Sequence, residues 1–487
     1  MKNNRPGKPF ILFRLVAALL GIIVIIMIPP LILAVITGEG PMIRAFLIPM
    51  GCILSLAAPC FFSLRKRELK LNAKDGFLLV FLTWSFASVL GAIPFYLSQS
   101  GISFTDALFE SACTFATTGG TTFEDVEALP RALLFWRSLA HWFGGMGIIL
   151  LTVALMPLLG IGGFQLIKAE TPGPEKEKIT PKITVTAKIL WLAYCVLTLI
   201  LFGLYLLGGM GWFDALCHSL TTMASGGVST RNAGIAFFHS PFIEGVSTVF
   251  MLLTAINFNI YYRLLRGKFR DIAANTELRV YLGIFFVAAA AVTVSLIPVY
   301  GSPLEALRYA SYQTASILST TGSAVTDYEQ WPGLARMVLF ILMFIGGCSG
   351  STAGGLKVIR HAVLWKQMGN VLRRTLYPRG VFSIQLNKRV GRKDVIYGVA
   401  GFFCLYLMVV AATTIITAAA GTDLFSAFSA ALSITGNVGV GFGAVGPAHN
   451  YSAFPNHIKW LFSFMMIAGR LELWTVFLLF RPIYWRH

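Results

Sequence analysis

The chain repeats one polar pattern four times between long apolar segments. In each copy a stretch that begins with Asp or Glu is followed by a polar strip centred on glycine. The stretches begin at Asp106, Asp214, Glu305 and Asp423, and the strips occupy residues 117–121, 225–229, 320–324 and 437–441. Alignment on Gly119, Gly227, Gly322 and Gly439 gives separations of 108, 95 and 117 residues. Four copies of this kind in one membrane chain predict a ring of four re-entrant loops around one pore.

The remaining sequence is that of an integral membrane protein. Hydrophobic residues make up 56% of the chain and charged residues only 12%, with a mean hydropathy of +0.73. Apolar runs of about 20 residues are long enough to cross a bilayer as helices. Such runs lie near 10–36, 45–63, 76–97, 133–159, 189–207, 243–265, 278–299, 335–345 with a continuation at 356–368, 395–420 and 458–480. We therefore expect an all-α polytopic membrane protein built from helix, re-entrant loop and helix repeats around a central pore.

The spans and strips together predict a division of the chain. Residues 1–75 are expected to form an extension of two transmembrane helices. The four repeats are then residues 76–168, 169–271, 272–382 and 383–487, and the apolar second helix of the third repeat is interrupted.

Basic residues are concentrated at one end of the spans and predict the orientation. They are Lys2, Arg5, Lys8, Arg14, Arg65, Lys66, Arg67, Lys70, Lys74, Arg263, Arg266, Lys268, Arg270, Arg373, Arg374, Arg379, Lys388, Arg389, Arg392, Lys393, Arg481 and Arg486. By the positive-inside rule this side is cytoplasmic, which places both termini in the cytoplasm. The rule accounts for the net charge of +18, so no nucleic-acid partner is expected.

Acidic residues gather on the opposite side, with the strips. They are Asp106, Glu110, Glu124, Asp125, Glu127, Asp214, Glu305, Asp327, Glu329 and Asp423. We expect them to form an acidic outer mouth that raises the local concentration of cations.

The composition of the strips suits an alkali cation. Irregular backbone at membrane depth is tolerated only where it is buried in protein or lines a wet cavity. Extended backbone that aims its carbonyls at a common axis replaces the hydration shell of a cation. Glycine allows the φ angles and the close approach that this requires, and the Thr and Ser hydroxyls add uncharged hard ligands. No strip contains a carboxylate, which favours weak, fast exchange of a monovalent ion.

The start of each short helix carries capping signals. Ser302 followed by Pro303 is typical of an N-cap and a first helical residue, and Thr105–Asp106 and Thr422–Asp423 are predicted to cap two other copies. The opposite end of each helix carries partial negative charge and is expected to face the strip and its cation.

Several stretches resemble the Trk-type potassium uptake proteins, specifically the TrkH/TrkG subunit within the wider group that includes KtrB and plant HKT transporters. The most specific stretch is 346–360, followed by 226–230, 319–322 and 469–472. The resemblance covers nearly the whole chain and includes the two extra N-terminal helices. It implies potassium uptake across the bacterial inner membrane through a single-file filter, with potassium as the ion. It also implies a homodimer in the lipid bilayer, gated by a cytosolic nucleotide-binding ring, the TrkA-type partner.

The resemblance also assigns roles to residues. The expected filter residues are Thr117, Thr118, Gly119, Ser225, Gly226, Gly227, Thr320, Thr321, Gly322, Asn437, Val438 and Gly439. The expected gate comprises the glycine-rich loop (Gly346, Gly347, Cys348, Ser349, Gly350, Ser351, Thr352, Ala353, Gly354 and Gly355) and Arg470. The sequence departs from the family pattern beside the filter, at Val228, Ser323 and Val440.

Three alternatives remain open at this stage. The first is a proton- or sodium-coupled potassium symporter, for which Glu244 and Glu472 are the candidate coupling carboxylates. The second is that Arg470 pairs with Glu472 or a helix end and only holds the fold. The third is that the basic connection around Arg373 contacts anionic lipid rather than a protein partner. Catalysis is rejected because the sequence shows no nucleophile–base pair and no metal cluster, and His141 lies alone in an apolar span.

Overall fold

The computed structural model describes residues 8–64, 73–98, 101–155, 183–386, 389–390 and 393–485. Two long helices, Lys8–Ile36 and Gly40–Leu64, form the N-terminal extension. The first of them packs against the helices that begin and end the first repeat. Of the basic residues that predict the orientation, Lys2, Arg5, Arg65, Lys66, Arg67, Lys70, Lys388, Arg392 and Arg486 lie outside the described residues.

Each repeat consists of a leading helix, a short helix, the polar strip and a return helix, and we use these names below. The leading helices are Ala73–Leu97, Ile183–Leu207, Thr276–Tyr300 and Lys393–Ala419. The short helices are Phe104–Ala116, Trp212–Met223, Pro303–Leu318 and Leu424–Gly436. The return helices are Arg131–Leu155, Pro241–Thr254 with Phe258–Leu265, Gly333–Leu342 with Val358–Leu376, and Asn456–Arg470 with Leu473–Leu479.

Within the described residues, the connections contain only small elements. Short helices occupy Phe269–Ala273 and Pro482–Trp485, and 3-10 turns occupy Gly234–Phe238, Tyr328–Gln330 and Gly443–Val445. A two-stranded antiparallel ladder, Gln385–Leu386 with Arg389–Val390, is the one β element of the described chain. It lies in the basic connection after the third return helix, so the predicted all-α architecture holds for the membrane part.

The caps of the short helices differ in part from those predicted. In the first repeat the N-cap is Ser103, whose hydroxyl accepts from the amide of Asp106; the predicted cap at Thr105–Asp106 is wrong by a few residues. Asp423 caps the fourth short helix by accepting from the amide of Ser426. Ser302 and Pro303 lie at the N-cap and first helical position of the third, although the Ser302 side chain makes no capping bond.

All four return helices break in mid-course, whereas the sequence predicted a break only in the third. The first contains a non-helical Gly147, with φ 75° and ψ 133°. The second bends by 94° between its two pieces and the fourth by 115°. The predicted continuous spans 243–265 and 458–480 are therefore wrong. Each bend lies beside polar residues within the apolar run, Asn257 in the second repeat and Arg470 and Glu472 in the fourth. Among the described residues, five helices are long and apolar enough to cross a membrane, or seven if each bent pair is one span.

The repeats close into a ring through one recurring contact. The return helix of repeats one, two and four packs against the short helix of the next repeat, with the fourth reaching the first. In the third repeat the same contact is aromatic, since Phe340 lies against Phe425 and Phe344 against Phe428. The four short helices and their strips are thereby enclosed by the longer helices.

Candidate functional site

The four strips begin with the same turn of backbone. Each short helix is followed by a non-glycine residue in the left-handed region, at φ between 53° and 56°: these are Thr117, Ser225, Thr320 and Asn437. The amide of the next residue then bonds back to the helix, as in Thr118 N to Cys113 O at 3.0 Å and Val438 N to Ser433 O at 2.9 Å. Non-glycine residues are uncommon in this region, and two of the four are β-branched threonines, so its recurrence in all four repeats indicates a common constraint.

The four aligned glycines lock the strips into a closed ring. All four have positive φ, from 60° to 90°. A Cβ at Gly119 would overlap the carbonyl oxygen of Gly226 in the second strip. In the same way Gly227 lies against Thr321 O, Gly322 against Val438 O, and Gly439 against Thr118 O. Each glycine therefore contacts the carbonyl that precedes the glycine of the next repeat, and the fourth strip returns to the first.

A second set of residues, missed in the sequence, braces the strips from the helix side. The residue six positions before each glycine is Cys113, Thr221, Ser316 or Ser433. The first three donate to the carbonyl just after the glycine, namely that of Gly120, Val228 or Ser323, at 2.5–2.9 Å. In the fourth repeat the hydroxyl of Tyr451 donates to Gly439 O at 3.0 Å and lies 3.4 Å from Ser433 Oγ. The constant interval was the signal available in the sequence.

A cavity of about 360 Å³ opens on one side of the ring. All four glycines contribute to its lining, together with charged residues such as Glu124, Arg137, Arg231 and Asp327. The cavity therefore connects the surface with the ring.

Basic residues neutralise much of the predicted acidic mouth. Asp106 pairs with Lys459 at 2.6 Å, Asp214 with Arg231 at 2.9 Å, and the buried Glu110 with Arg137 at 3.2 Å. The acidic mouth stays a prediction, and the structure adds that part of its charge is compensated by these basic residues. Asp125 is different: its carboxylate accepts from the amide of Asn232 at 2.8 Å, which lowers the pKa of Asp125.

The glycine-rich loop lies directly beneath the ring and bonds to it. The third return helix stops at Leu342 and resumes at Val358, so that the loop interrupts it. The hydroxyl of Thr352 lies 2.9 Å from Ser225 Oγ, and the amide of Gly354 donates to Thr320 Oγ1 at 2.7 Å. Two of the four left-handed residues thus have their side-chain oxygens occupied by the loop.

The loop is held by many bonds and is not a loose segment. Cys348 N donates to Ala255 O at 2.8 Å, and Phe258 N donates to Gly350 O at 3.1 Å, both at the break of the second return helix. Glu277, at the start of the third leading helix, accepts from Ser349 N at 2.6 Å and Ile359 N at 3.2 Å. One carboxylate therefore fixes the loop near both of its ends.

Arg470 joins the loop to the first repeat. Its guanidinium donates to Thr352 O at 2.7 Å and to the carbonyls of Gly144 and Gly145 at 2.8 and 2.7 Å. Those two carbonyls precede the break at Gly147, where helical backbone bonding ends and carbonyls are left available. The structure thus brings the predicted gate residues together below the ring.

The two candidate coupling carboxylates are both engaged in ion pairs. Glu244 forms a bidentate pair with Arg308 at 2.6 and 2.7 Å. Glu472 lies 2.5 Å from Arg360, whose guanidinium also stacks 3.7 Å from the Phe402 ring centroid.

Chemically, the ring gathers backbone and hydroxyl oxygens from all four strips. The carbonyls around the four glycines, together with Thr and Ser hydroxyls, are hard uncharged donors that suit a monovalent alkali cation. The loop and Arg470 bound this set on one side, and the water-accessible cavity bounds it on the other.

Comparison with known proteins agrees with this geometry. The TrkH family model, described as a cation transport protein, matches residues 43–486. The Trk system potassium uptake protein TrkH of Escherichia coli (strain K12) is 38% identical over 97% of this chain and 99% of its own length. The TrkG protein of the same strain is 34% identical over 94% and 95%. The crystal structure of the potassium transporter TrkH from Vibrio parahaemolyticus superimposes with a TM-score of 0.88 at 35% identity, covering 99% of this chain and 100% of that one. The predicted fold class is confirmed by this match.

Proposed function

Because the chain belongs to the TrkH family of cation transport proteins, we propose that it carries potassium ions across the bacterial inner membrane into the cell. It is an integral membrane transport protein and not an enzyme, as the sequence predicted. The observation that carries the proposal is the closed ring in which each filter glycine lies against a carbonyl of the next repeat.

The proposed path is a single-file filter at the axis of this ring. Its ligands are the backbone oxygens of the twelve residues predicted from the sequence, three from each strip, with the hydroxyls of the left-handed Thr and Ser residues at its inner end. The carbonyls replace the hydration shell of the ion, so that potassium enters without a large desolvation cost. The braces from Cys113, Thr221 and Ser316 hold the carbonyl that follows each glycine.

We propose that the glycine-rich loop and Arg470 together form a gate on the cytoplasmic side of the filter. Support comes from the bonds of Thr352 and Gly354 to Ser225 and Thr320, the residues that begin the second and third strips. A guanidinium beside the path also raises the barrier for a cation by like-charge repulsion.

The same reasoning extends to orientation and assembly. We propose that both termini are cytoplasmic, that two copies form a homodimer with one path each, and that a cytosolic TrkA-type nucleotide-binding ring controls the gate. The lower piece of the third return helix supports a cytoplasmic partner surface, because it presents exposed Arg373 and Arg374 next to exposed apolar residues such as Leu376. We also propose that the four repeats have the boundaries predicted from the sequence.

A channel-like path is favoured over coupled symport. Coupling favours an intramembrane carboxylate that changes its ion or proton occupancy during transport, whereas Glu244 and Glu472 are each paired with an arginine. The four strips, by contrast, need no titrating group.

Growth rescue tests the proposed function. Expression in a bacterium that lacks its own potassium uptake systems should restore growth at low external potassium, and co-expression of the cytosolic partner should increase the effect. In the same cells, rubidium influx should be unchanged when the sodium or proton gradient is collapsed at constant membrane potential. A protein that reaches the membrane but restores neither growth nor influx would overturn the proposal, and influx that follows a second ion's gradient would indicate symport.

A further inference from the structure

Glu110 holds the first strip from behind. It is fully buried on the first short helix, nine residues before Gly119. Its Oε1 accepts from Thr121 Oγ1 at 2.7 Å, from Thr122 N at 2.6 Å and from Thr122 Oγ1 at 3.2 Å. Bonds to a carboxylate are stronger than neutral ones, so Glu110 fixes the backbone that leaves the filter on its outer side.

The second oxygen of Glu110 faces a buried arginine. Glu110 Oε2 lies 3.2 Å from Arg137 Nε, and the two side chains are 0% and 3% exposed. Arg137 belongs to the first return helix and lines the outer cavity together with the filter glycines. A fixed cation at that position opposes potassium entry unless an anion beside it compensates its charge.

The corresponding positions in the other repeats contain no charged pair. Nine residues before the filter glycines stand His218, Gln313 and Ala430. His218 reproduces one half of the arrangement, since its Nε2 lies 2.9 Å from Ser229 Oγ, two residues after Gly227 as Thr121 is after Gly119. A buried ion pair is not in general stabilising compared with an apolar replacement, so its presence behind one strip alone calls for a local reason.

We propose that the Glu110–Arg137 pair is a positioning element for potassium selection and entry, with two separable effects. Through its hydrogen bonds Glu110 keeps the first strip in the shape that distinguishes potassium from sodium. Through its charge it neutralises Arg137, so that the outer cavity admits cations. The inference rests on the proposed potassium path and assigns these two residues to it.

A double-mutant cycle separates the two effects. Rubidium uptake is measured in the rescue strain for Glu110→Gln, Arg137→Gln and the double Gln variant. Glu110→Gln keeps an acceptor for Thr122 but leaves Arg137 uncompensated, so KM should rise roughly fivefold, the size expected for one unit charge beside a solvated path. The double Gln variant removes both charges and should return KM to near the parent value. Arg336→Gln, which removes an exposed charge that does not line the cavity, should leave KM unchanged.

The effect of the Glu110 hydrogen bonds on ion selection is measured as inhibition of rubidium uptake by sodium. Glu110→Ala combined with Arg137→Gln has no buried charge and no acceptor for Thr121 and Thr122, so sodium should inhibit its rubidium uptake at lower concentrations than in the double Gln variant. The inference is overturned if Glu110→Gln has the parent KM, or if the two double variants show the same sodium competition. Should Glu110→Gln fail to reach the membrane, the two double variants still decide the positioning role. If the parent protein itself shows no rubidium uptake, the proposed function is contradicted rather than the role of this ion pair.

Discussion

At the scale of single residues, the four ring glycines Gly119, Gly227, Gly322 and Gly439 leave no room for a side chain. Substitution of Gly119 by serine places a Cβ against Gly226 O and imposes a side chain on a φ of 88°. The strained backbone alone costs about 1 kcal/mol. The larger effect is displacement of the carbonyl of the second strip, and we expect Gly119→Ser to weaken the preference for potassium over sodium.

The measurement is inhibition of rubidium uptake by sodium and by potassium in the rescue strain. Gly421→Ser is the matched control, because Gly421 has a φ of 98° and no atom within 4 Å of a Cβ. It carries a similar backbone strain without touching the ring. If sodium and potassium inhibit rubidium uptake equally in Gly119→Ser and in the parent protein, the assignment of Gly119 to the filter is wrong.

The site residues that could be predicted from the sequence and those that could not differ in how far along the chain their partners lie. Gly119 and its three counterparts were predictable because each strip is a local pattern that recurs. The partners of the mouth acids, such as Lys459 for Asp106, were not, since 353 positions separate them. Cys113 was missed because its role depends on a carbonyl that only the folded strip turns toward it.

At the scale of elements, the breaks in the return helices create the region below the filter. The bends after Thr254 and after Arg470 were not predictable, because hydropathy reports composition and not backbone direction. The loop of the third repeat was, because its glycines interrupt an apolar run. The structure adds that the loop is bonded to two strips, to Glu277 and to Arg470, so that opening has to break specific hydrogen bonds.

Arg470 contributes one of these bonds, to Thr352 O, while its other two bonds hold Gly144 and Gly145 of the first return helix. Its removal unties the loop from that helix and should favour the open gate. A hydrogen bond to a charged group contributes roughly 1.5–3 kcal/mol. Loss of even one such contribution from the closed state changes the open population about tenfold or more. We therefore expect Arg470→Ala to raise rubidium flux in the absence of the activating partner by about tenfold.

Flux into proteoliposomes that contain the purified protein alone measures this effect. Arg481→Ala, which removes an exposed arginine a short distance further along the chain, should match the parent. If Arg470→Ala is folded and inserted but conducts no faster than the parent, Arg470 holds the fold and does not gate.

At the scale of the whole molecule, the charges are arranged by side. The described basic residues near the helix ends opposite the strips include exposed Arg266, Lys268 and Arg270 after the second return helix. The outer side is a balance of acids and bases around the cavity. This asymmetry matches the proposed orientation with the termini in the cytoplasm, and it leaves the cytoplasmic face as the surface for an acidic or nucleotide-regulated partner.

The exposed end of the third return helix is the most direct link between that face and the gate. Its lower piece begins at Val358, immediately after the loop, and carries exposed Arg373 and Arg374 near its end, with Arg379 just beyond. A partner that binds these arginines therefore acts on the same rigid helix that leaves the loop. Replacing all three by glutamine should weaken co-purification of the cytosolic ring at least tenfold, while the pore protein itself stays folded.

Two comparisons make this test specific. The first comparison is a second triple variant, Arg266→Gln, Lys268→Gln and Arg270→Gln. It removes the same charge from another exposed connection, and it should retain the cytosolic ring more strongly than the first triple variant does. Binding of both proteins to vesicles with and without anionic lipid then measures the lipid contribution. Full retention of the ring by the Arg373, Arg374 and Arg379 variant, with lost affinity for anionic vesicles, would assign this surface to the bilayer. Loss of the cytosolic ring with unchanged vesicle binding would assign this surface to the partner. A partner docked on this helix is in a position to move the loop, because the loop leads directly into the helix.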